Sequence, residues 1–289
     1  MFFGLLKFIY SGALCKNLQY HAQLYFLSHQ AFRENAMYEL DLLYILVLII
    51  TGFLAGIINT MAGGGSNLTI PALMVMGIPP DIANATNRVS VVLQSFTAYR
   101  GFAKHGKLDI PDIKSILLVT MLGGLVGAAF ASYMPADYLK PTLLGAMIIM
   151  AGIILFKPSA IAVTEGTKAF SVMEQKQSIP MLFIAGFYGG FVQAGVGFIL
   201  IAAIAGGLRY DLARTNALKV VCTLGFTLVA LGLFVWRDQV WWAPGLLLAV
   251  GSVAGAYLAV KITINVSQNT LKWFLFIMTI FASIAALLS

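Results

Sequence analysis

Three consecutive glycines, Gly63-Gly64-Gly65, stand between Asn59 and Ser66-Asn67 inside a stretch that is otherwise apolar enough to cross a bilayer. About 130 residues further on, Gln193-Ala194-Gly195-Val196-Gly197 repeats the arrangement in diluted form, again with glycine and one amide side chain. Glycine in a helix interior costs about 1 kcal/mol relative to alanine. Hydrocarbon offers no water to the backbone groups that an interruption frees, so such breaks survive at membrane depth only within protein or around a polar cavity. Two breaks in corresponding halves of a chain are the sequence pattern of a solute-binding site in a transporter.

Composition supports a membrane setting. The 289 residues are 60% hydrophobic and 10% charged, against roughly 45–50% and 25% in a soluble domain, and the mean hydropathy is +0.90. An outer-membrane barrel would alternate over segments of about ten residues; the apolar runs here are continuous and longer. The fold class expected is therefore an all-α polytopic membrane protein. The formal charge of +7 is not a nucleic-acid signal, because the basic residues fall between apolar runs, where the positive-inside bias places them. Cys15 and Cys222 have neither the number nor the spacing of a disulfide framework or metal site. His21, His29 and His105 lie outside the expected spans, so neither metal nor cofactor is expected.

Residues 1–41 form an N-terminal arm that reads in three ways: a signal peptide, an interfacial helix, or a segment preceding a translation start at Met37. The first membrane unit covers 42–156. It opens with a span over Leu42–Asn59, followed by a short apolar piece, Leu68–Gly77, of about ten residues. That piece cannot cross about 30 Å at about 1.5 Å per residue. Spans over Ile82–Phe102, Ile113–Tyr133 and Leu139–Phe156 follow. A polar linker over 157–179 leads to the second unit, 180–289: Met181–Ala194, the short piece Phe198–Gly207, then Leu212–Trp236, Ala243–Val260 and Leu271–Leu288.

The order of events is the same in both units, and Gly52-Phe53-Leu54-Ala55-Gly56 matches Gly186-Phe187-Tyr188-Gly189-Gly190. Ala85-Thr86-Asn87 likewise matches Arg214-Thr215-Asn216. An internal duplication is expected, with about eight spans and a glycine-broken or re-entrant helix in each repeat. The connection holding Arg100, Lys104, Lys107 and Lys114 and the lysine-bearing central linker are separated by two spans, which puts them on one side. If each broken unit crosses once, the repeats are parallel; if the short pieces turn back, they are inverted.

With the Gly63-Gly64-Gly65-Ser66 break, Pro71 four residues after Asn67, and the paired Thr-Asn dipeptides, the chain resembles the sulfite exporter TauE/SafE family, also called the 4-toluene sulfonate uptake permease family. The likeness covers about Leu42 to Leu288. It departs in the second half, where Val196 separates two glycines and the short piece has no proline. The resemblance implies a multi-pass carrier of the bacterial inner membrane, for sulfite, organosulfonates or related sulfur-containing anions, working as an exporter.

A small oxyanion with several acceptor oxygens calls for backbone N–H groups, hydroxyls, amides and a cation. Bared helix starts supply the first. The candidate substrate-binding residues in the first half are Asn59, Gly63, Gly64, Gly65, Ser66, Asn67, Thr86, Asn87, Arg88 and Gln94. In the second half they are Gln193, Gly195, Gly197, Thr215, Asn216 and Lys219. Thr86, Asn87, Ser90 and Gln94 are spaced to share a helix face. Each has a structural alternative: Ser66 as a helix cap, the glycines as packing devices, and Arg88 and Lys219 as side chains snorkelling to the interface, with Asp81 as a partner for Arg88. Cys222 reads as packing, and Trp236, Trp241 and Trp242 as an interfacial belt.

No G-x-x-x-x-G-K-[ST] run occurs, so transport would be driven by an ion gradient or by the solute's own gradient. The expected partners are a small anion and the lipid bilayer, and no nucleic acid; the oligomeric state is open. A membrane enzyme, which would need His, Cys, Asp or Glu at depth, is disfavoured, leaving carriers of other organic anions, an assembly protein without transport activity, or a channel as the rival readings.

Overall fold

Helices start and stop where glycine, proline and polar turns stand in the sequence. The computed structural model describes residues 42–61, 63–104, 108, 112–156 and 169–262. In the first half these form α1 (Leu42–Met61), α2 (Ser66–Val75), α3 (Pro80–Lys104), α4 (Ile113–Tyr133) and α5 (Ala136–Phe156). In the second they form α6 (Ser178–Phe191), α7 (Val196–Ile201, continued by a π-helical turn over Ala202–Gly207), α8 (Leu212–Trp236) and α9 (Trp242–Ile262). Gly77 ends α2 at φ +83, and the Asp211 carboxylate caps α8 by accepting the Arg214 N–H at 2.9 Å. Helix α6 stops at Phe191, short of the expected Ala194, because Gln193 (φ 68) and Gly195 (φ 73) both take left-handed backbone. The arm, most of the linker and the span expected over Leu271–Leu288 lie outside the described residues.

Leu46–Ser289 form one compact unit, and the described part of the other, Met1–Ile45, is the opening turn of α1. The larger unit is apolar on its surface and buries polar groups among its hydrophobic core. Leu118, Leu122, Leu125 and Phe130 on α4, and Val250 and Tyr257 on α9, are exposed, whereas Asn84, Asn87, Arg88, Gln94, Lys219 and Thr227 are buried. Helices α1, α4 and α9 and most of α8 are long and apolar enough to cross a bilayer. This is a multi-pass membrane protein.

Contacts at the helix ends fix directions. The Val172 N–H donates to the Asp112 carboxylate, Phe170 N–H donates to the Leu208 carbonyl at 2.9 Å, and a Cβ on Gly207 would lie 3.7 Å from Ser178 Cβ. The starts of α4 and α6 and the end of α7 therefore share one end, the linker end. At the other end the Arg237 guanidinium lies 4.3 Å over the Tyr133 ring, joining the last turns of α4 and α8, with α9 starting just beyond. Helix α3 starts there too, since the Trp241 N–H donates to Thr86 Oγ1 at 3.0 Å and Gln239 Nε2 reaches Asp81. Helix α6 thus enters from the linker end and α7 returns to it.

Helix α1 enters from the opposite end, as its packing on α9 shows. Gly52 and Gly56 of α1 meet Leu248 and Ser252 of α9, while Gly251 and Gly255 of α9 meet Ile49 and Phe53 of α1. Helices α4 and α6 form the same kind of parallel seam, with Gly123 and Gly127 on Phe183 and Phe187, and Gly186 and Gly190 on Thr120 and Gly124. At each of these eight positions a Cβ would come within 2.0–2.2 Å of a carbonyl oxygen. Only glycine permits such approach, the small-residue interface of membrane helices. Each seam joins a hairpin helix of one half to a long helix of the other. Helix α2 leads from the first break back to the start of α3, so the first short helix also turns back.

Candidate functional site

The two breaks meet. Gly197 N–H donates to the Gly63 carbonyl at 3.2 Å, and a Cβ on Gly63 would stand 2.3 Å from Gly197 Cα. Gly63 has φ +87, and Gly65 packs on Ala55 and Asn59 of α1. Gly65, not Ser66, occupies the cap position of α2, and it makes no side-chain cap bond. Ser66 is instead tied sideways. Asn87 Nδ2 donates to Ser66 Oγ at 3.0 Å, and Thr69 Oγ1 donates to Asn87 Oδ1 at 2.6 Å, which locks α2 onto α3 through both ends of one amide.

Each break frees carbonyls at the end of the helix before it, and a cation from the other half meets them. Arg88, about two turns into α3, is fully buried. Its Nη1 donates to the Gly189 carbonyl at 2.5 Å and to Gln193 Oε1, and its Nη2 donates to the Gly190 carbonyl at 2.8 Å and Asn84 Oδ1 at 3.2 Å. The guanidinium also lies 5.6 Å from the Phe234 ring centroid. Arg88 is therefore a clamp on the end of α6. Thr227 Oγ1 approaches Gln193 Oε1 at 3.4 Å from α8. Lys219, about two turns into α8, is 1% exposed and donates Nζ–H to the Thr60 carbonyl at the end of α1, at 3.0 Å. Neither cation snorkels; both point inward.

Beside Lys219 lies a narrow polar crevice of about 10 Å³, room for about one water, lined by Asn59, Thr60, Gln94, Ser95, Ala98, Lys219, Val220 and Thr223. Its side-chain polar groups are amides, hydroxyls and one ammonium. The cavity thus gathers Asn59, Gln94 and Lys219 from the sequence-derived set. Gln94 Oε1 is buried without a hydrogen-bond partner there. Gly63 and Gly197 form the joint between the breaks, a Cβ on Gly195 would lie 3.2 Å from Met150 Cβ of α5, and Arg88 and Gln193 build the clamp on the other break. Asn67 is wholly buried at the start of α2.

The polar residues of α3 do not converge on one site. Thr86 faces Trp241, Asn87 faces α2, Ser90 Oγ bonds Ser252 Oγ at 2.9 Å, and Gln94 faces Lys219. Helix α3 packs on α2, α5, α8 and α9, so its polar groups pair in several directions. Thr215 Oγ1 turns back to the Tyr210 carbonyl at 3.1 Å, steadying the start of α8, and Asn216 is partly buried with Oδ1 unpaired. Trp241 departs from the expected interfacial belt: it is 8% exposed, against 76% for Trp236, because its backbone closes on Thr86.

Ser95 and Thr223 line the crevice and were not singled out from sequence. The signal was present: Asn216, Lys219, Thr223 and Thr227 recur at helical spacing through an otherwise apolar α8, a polar stripe on one face.

Comparison with known proteins places this geometry in a family. The family model described as "Sulfite exporter TauE/SafE" matches residues 48–286. The chain is similar to "Probable membrane transporter protein ORF9" of Sinorhizobium sp, 27% identical with 83% of this chain and 91% of that protein covered. It is similar to "Probable membrane transporter protein YfcA" of Escherichia coli (strain K12), at 27% identity over 82% of this chain and 87% of that protein. A "Probable membrane transporter protein" of Haemophilus influenzae is 28% identical, with 83% and 92% covered.

Proposed function

The chain belongs to the sulfite exporter TauE/SafE family of membrane transporters, and on that premise we propose that it is a secondary carrier of a small sulfur-containing anion, such as sulfite or an organosulfonate, across the bacterial inner membrane. Its solute site is the crevice at Lys219, which in this closed form has room for about one water and widens to seat the anion. The observation that carries this reading is the Lys219 ammonium itself, buried among Asn59, Gln94, Ser95 and Thr223 with a carbonyl as its hydrogen-bond partner and no carboxylate lining the crevice among the described residues. A buried charge without a counter-charge is costly, and an anion supplies one. Ionisable side chains inside a membrane bundle mark solute pathways.

The architecture supports alternating access. Two hairpins enter from opposite ends, each crossed by a cation from the other half, which is the arrangement of an inverted repeat. On this reading the first repeat comprises a hairpin and the crossing helices α3, α4 and α5, and the second a hairpin followed by α8 and α9. Rocking one glycine-seamed pair, α1 with α9, against the other, α4 with α6, opens the crevice alternately to each side.

Purified protein in sealed vesicles, offered sulfite, sulfonates, sulfate and simple carboxylates, tests the proposal. Accumulation of a sulfur anion is expected, with its loss in Lys219→Gln protein that melts like wild type. Undiminished flux in that variant removes the site from Lys219, and no flux for any anion removes the carrier reading.

A further inference from the structure

We propose that Lys219 is the one positive charge the solute meets, so that the carrier selects monoanions over dianions of the same size. This rests on the carrier reading above and narrows it to a substrate class. Two cations lie deep in the bundle near the breaks, but they are not equally free. The Arg88 guanidinium is spread over four acceptors, the carbonyls of Gly189 and Gly190 and the side-chain oxygens of Gln193 and Asn84. Withdrawing it would strand the end of α6, so its charge is committed to the helix. Lys219 carries three donors, of which one reaches the Thr60 carbonyl at 3.0 Å, and it lines the crevice.

The remaining polar lining is neutral: Asn59, Thr60, Gln94, Ser95 and Thr223. A monoanion seated against Lys219 makes a neutral pair. A dianion leaves one negative charge uncompensated beside a fully buried ammonium, where an unpaired charge is strongly disfavoured. The neutral donors orient oxygens but do not cancel charge. The chemistry therefore favours a singly charged head, an organosulfonate or hydrogensulfite, and disfavours sulfate, doubly charged sulfite and disubstituted acids.

Ethanesulfonate and sulfoacetate, close in size and differing by one charge, make the test. Competition for uptake into vesicles, with thermal-shift titration as a second readout, is expected to favour ethanesulfonate by about tenfold or more in wild type, or about 1.4 kcal/mol. Lys219→Arg is expected to keep that ratio, and Arg88→Lys, where it folds, to lower stability while leaving the ratio unchanged. Adding a second cation, by Thr223→Lys or independently by Gln94→Lys, is expected to shift the preference toward sulfoacetate. Equal handling of the two anions in wild type, or a ratio that moves with Arg88→Lys but not with the added lysines, overturns the inference. Should both anions be carried equally and both be lost in Lys219→Gln, the carrier reading stands and only the charge selectivity falls. If neither anion nor any other is bound or moved, both fall together.

Discussion

Gly197 hands its backbone N–H to the Gly63 carbonyl across 3.2 Å, so the tips of two hairpins that enter from opposite ends form a single joint. Gly63 has φ +87, and a Cβ there would lie 2.3 Å from Gly197 Cα. A side chain in left-handed backbone costs about 1–2 kcal/mol, and overpacking adds about 1–3 kcal/mol. Gly63→Ala is therefore expected to destabilise by about 3 kcal/mol, read as a lower melting temperature in detergent. Gly232→Ala is the comparison, because a Cβ at Gly232 meets nothing within 4 Å and helix propensity alone favours alanine by about 1 kcal/mol. Indistinguishable melts for the two variants would mean that the tips are not in contact.

The Arg88 clamp makes a different prediction. Removing the guanidinium leaves the Gly189 and Gly190 carbonyls bare inside the bundle, and each buried unsatisfied group costs about 1–3 kcal/mol. Arg88→Met should lower stability by several kcal/mol in total, and Gln193→Ala by less. Because the two side chains share a hydrogen bond, their effects should be coupled by about 0.5–3 kcal/mol in a double-mutant cycle. Additive losses would show that Gln193 is not part of the clamp.

Asn87 separates holding the fold from holding the solute. Both ends of its amide are engaged, one by Ser66 and the other by Thr69. Asn87→Leu strands two hydroxyls and is expected to lower the melting temperature, at about 1–3 kcal/mol, while leaving the KM for transport near wild type. Lys219→Gln should do the reverse, raising KM with a smaller change in melting. A rise in KM for Asn87→Leu at unchanged stability would put Asn87 in the solute path.

Much of this was legible in the sequence, for identifiable reasons. Glycine and proline punctuate helices by steric rules, so the two breaks and the start of α3 near Pro80-Asp81 appear at the places expected. The family likeness was visible in the same residues. What could not be read was direction: a ten-residue apolar piece is equally consistent with a half-crossing and a return, and only the contacts of Gly207 with Ser178 and of Leu208 with Phe170 settle it. The destinations of the two cations were hidden for a related reason. Arg88 bonds backbone carbonyls more than 100 positions away, and carbonyls leave no trace in residue identity. The seam glycines Gly123, Gly127, Gly251 and Gly255 do carry a trace in the sequence, their four-residue spacing.

The last prediction concerns driving force. With Lys219 as the one cation facing the crevice among the described residues, and neutral polar groups around it, a loaded site is neutral and an empty site is positive. The half-cycle that carries charge is then the return of the empty carrier, and the net result of one turnover is one negative charge moved with the solute. An inside-negative potential drives that charge outward by about 2.3 kcal/mol per 100 mV, equivalent to an equilibrium gradient of about 50-fold. Vesicles preloaded with a sulfonate and clamped with a potassium gradient and an ionophore should release it faster when negative inside than at zero potential. Reversing the polarity should favour accumulation by a similar factor. Flux that ignores the potential would require a counter-ion to travel with the anion, and would send the search for its site to the polar stripe of Asn216, Thr223 and Thr227 beside Lys219.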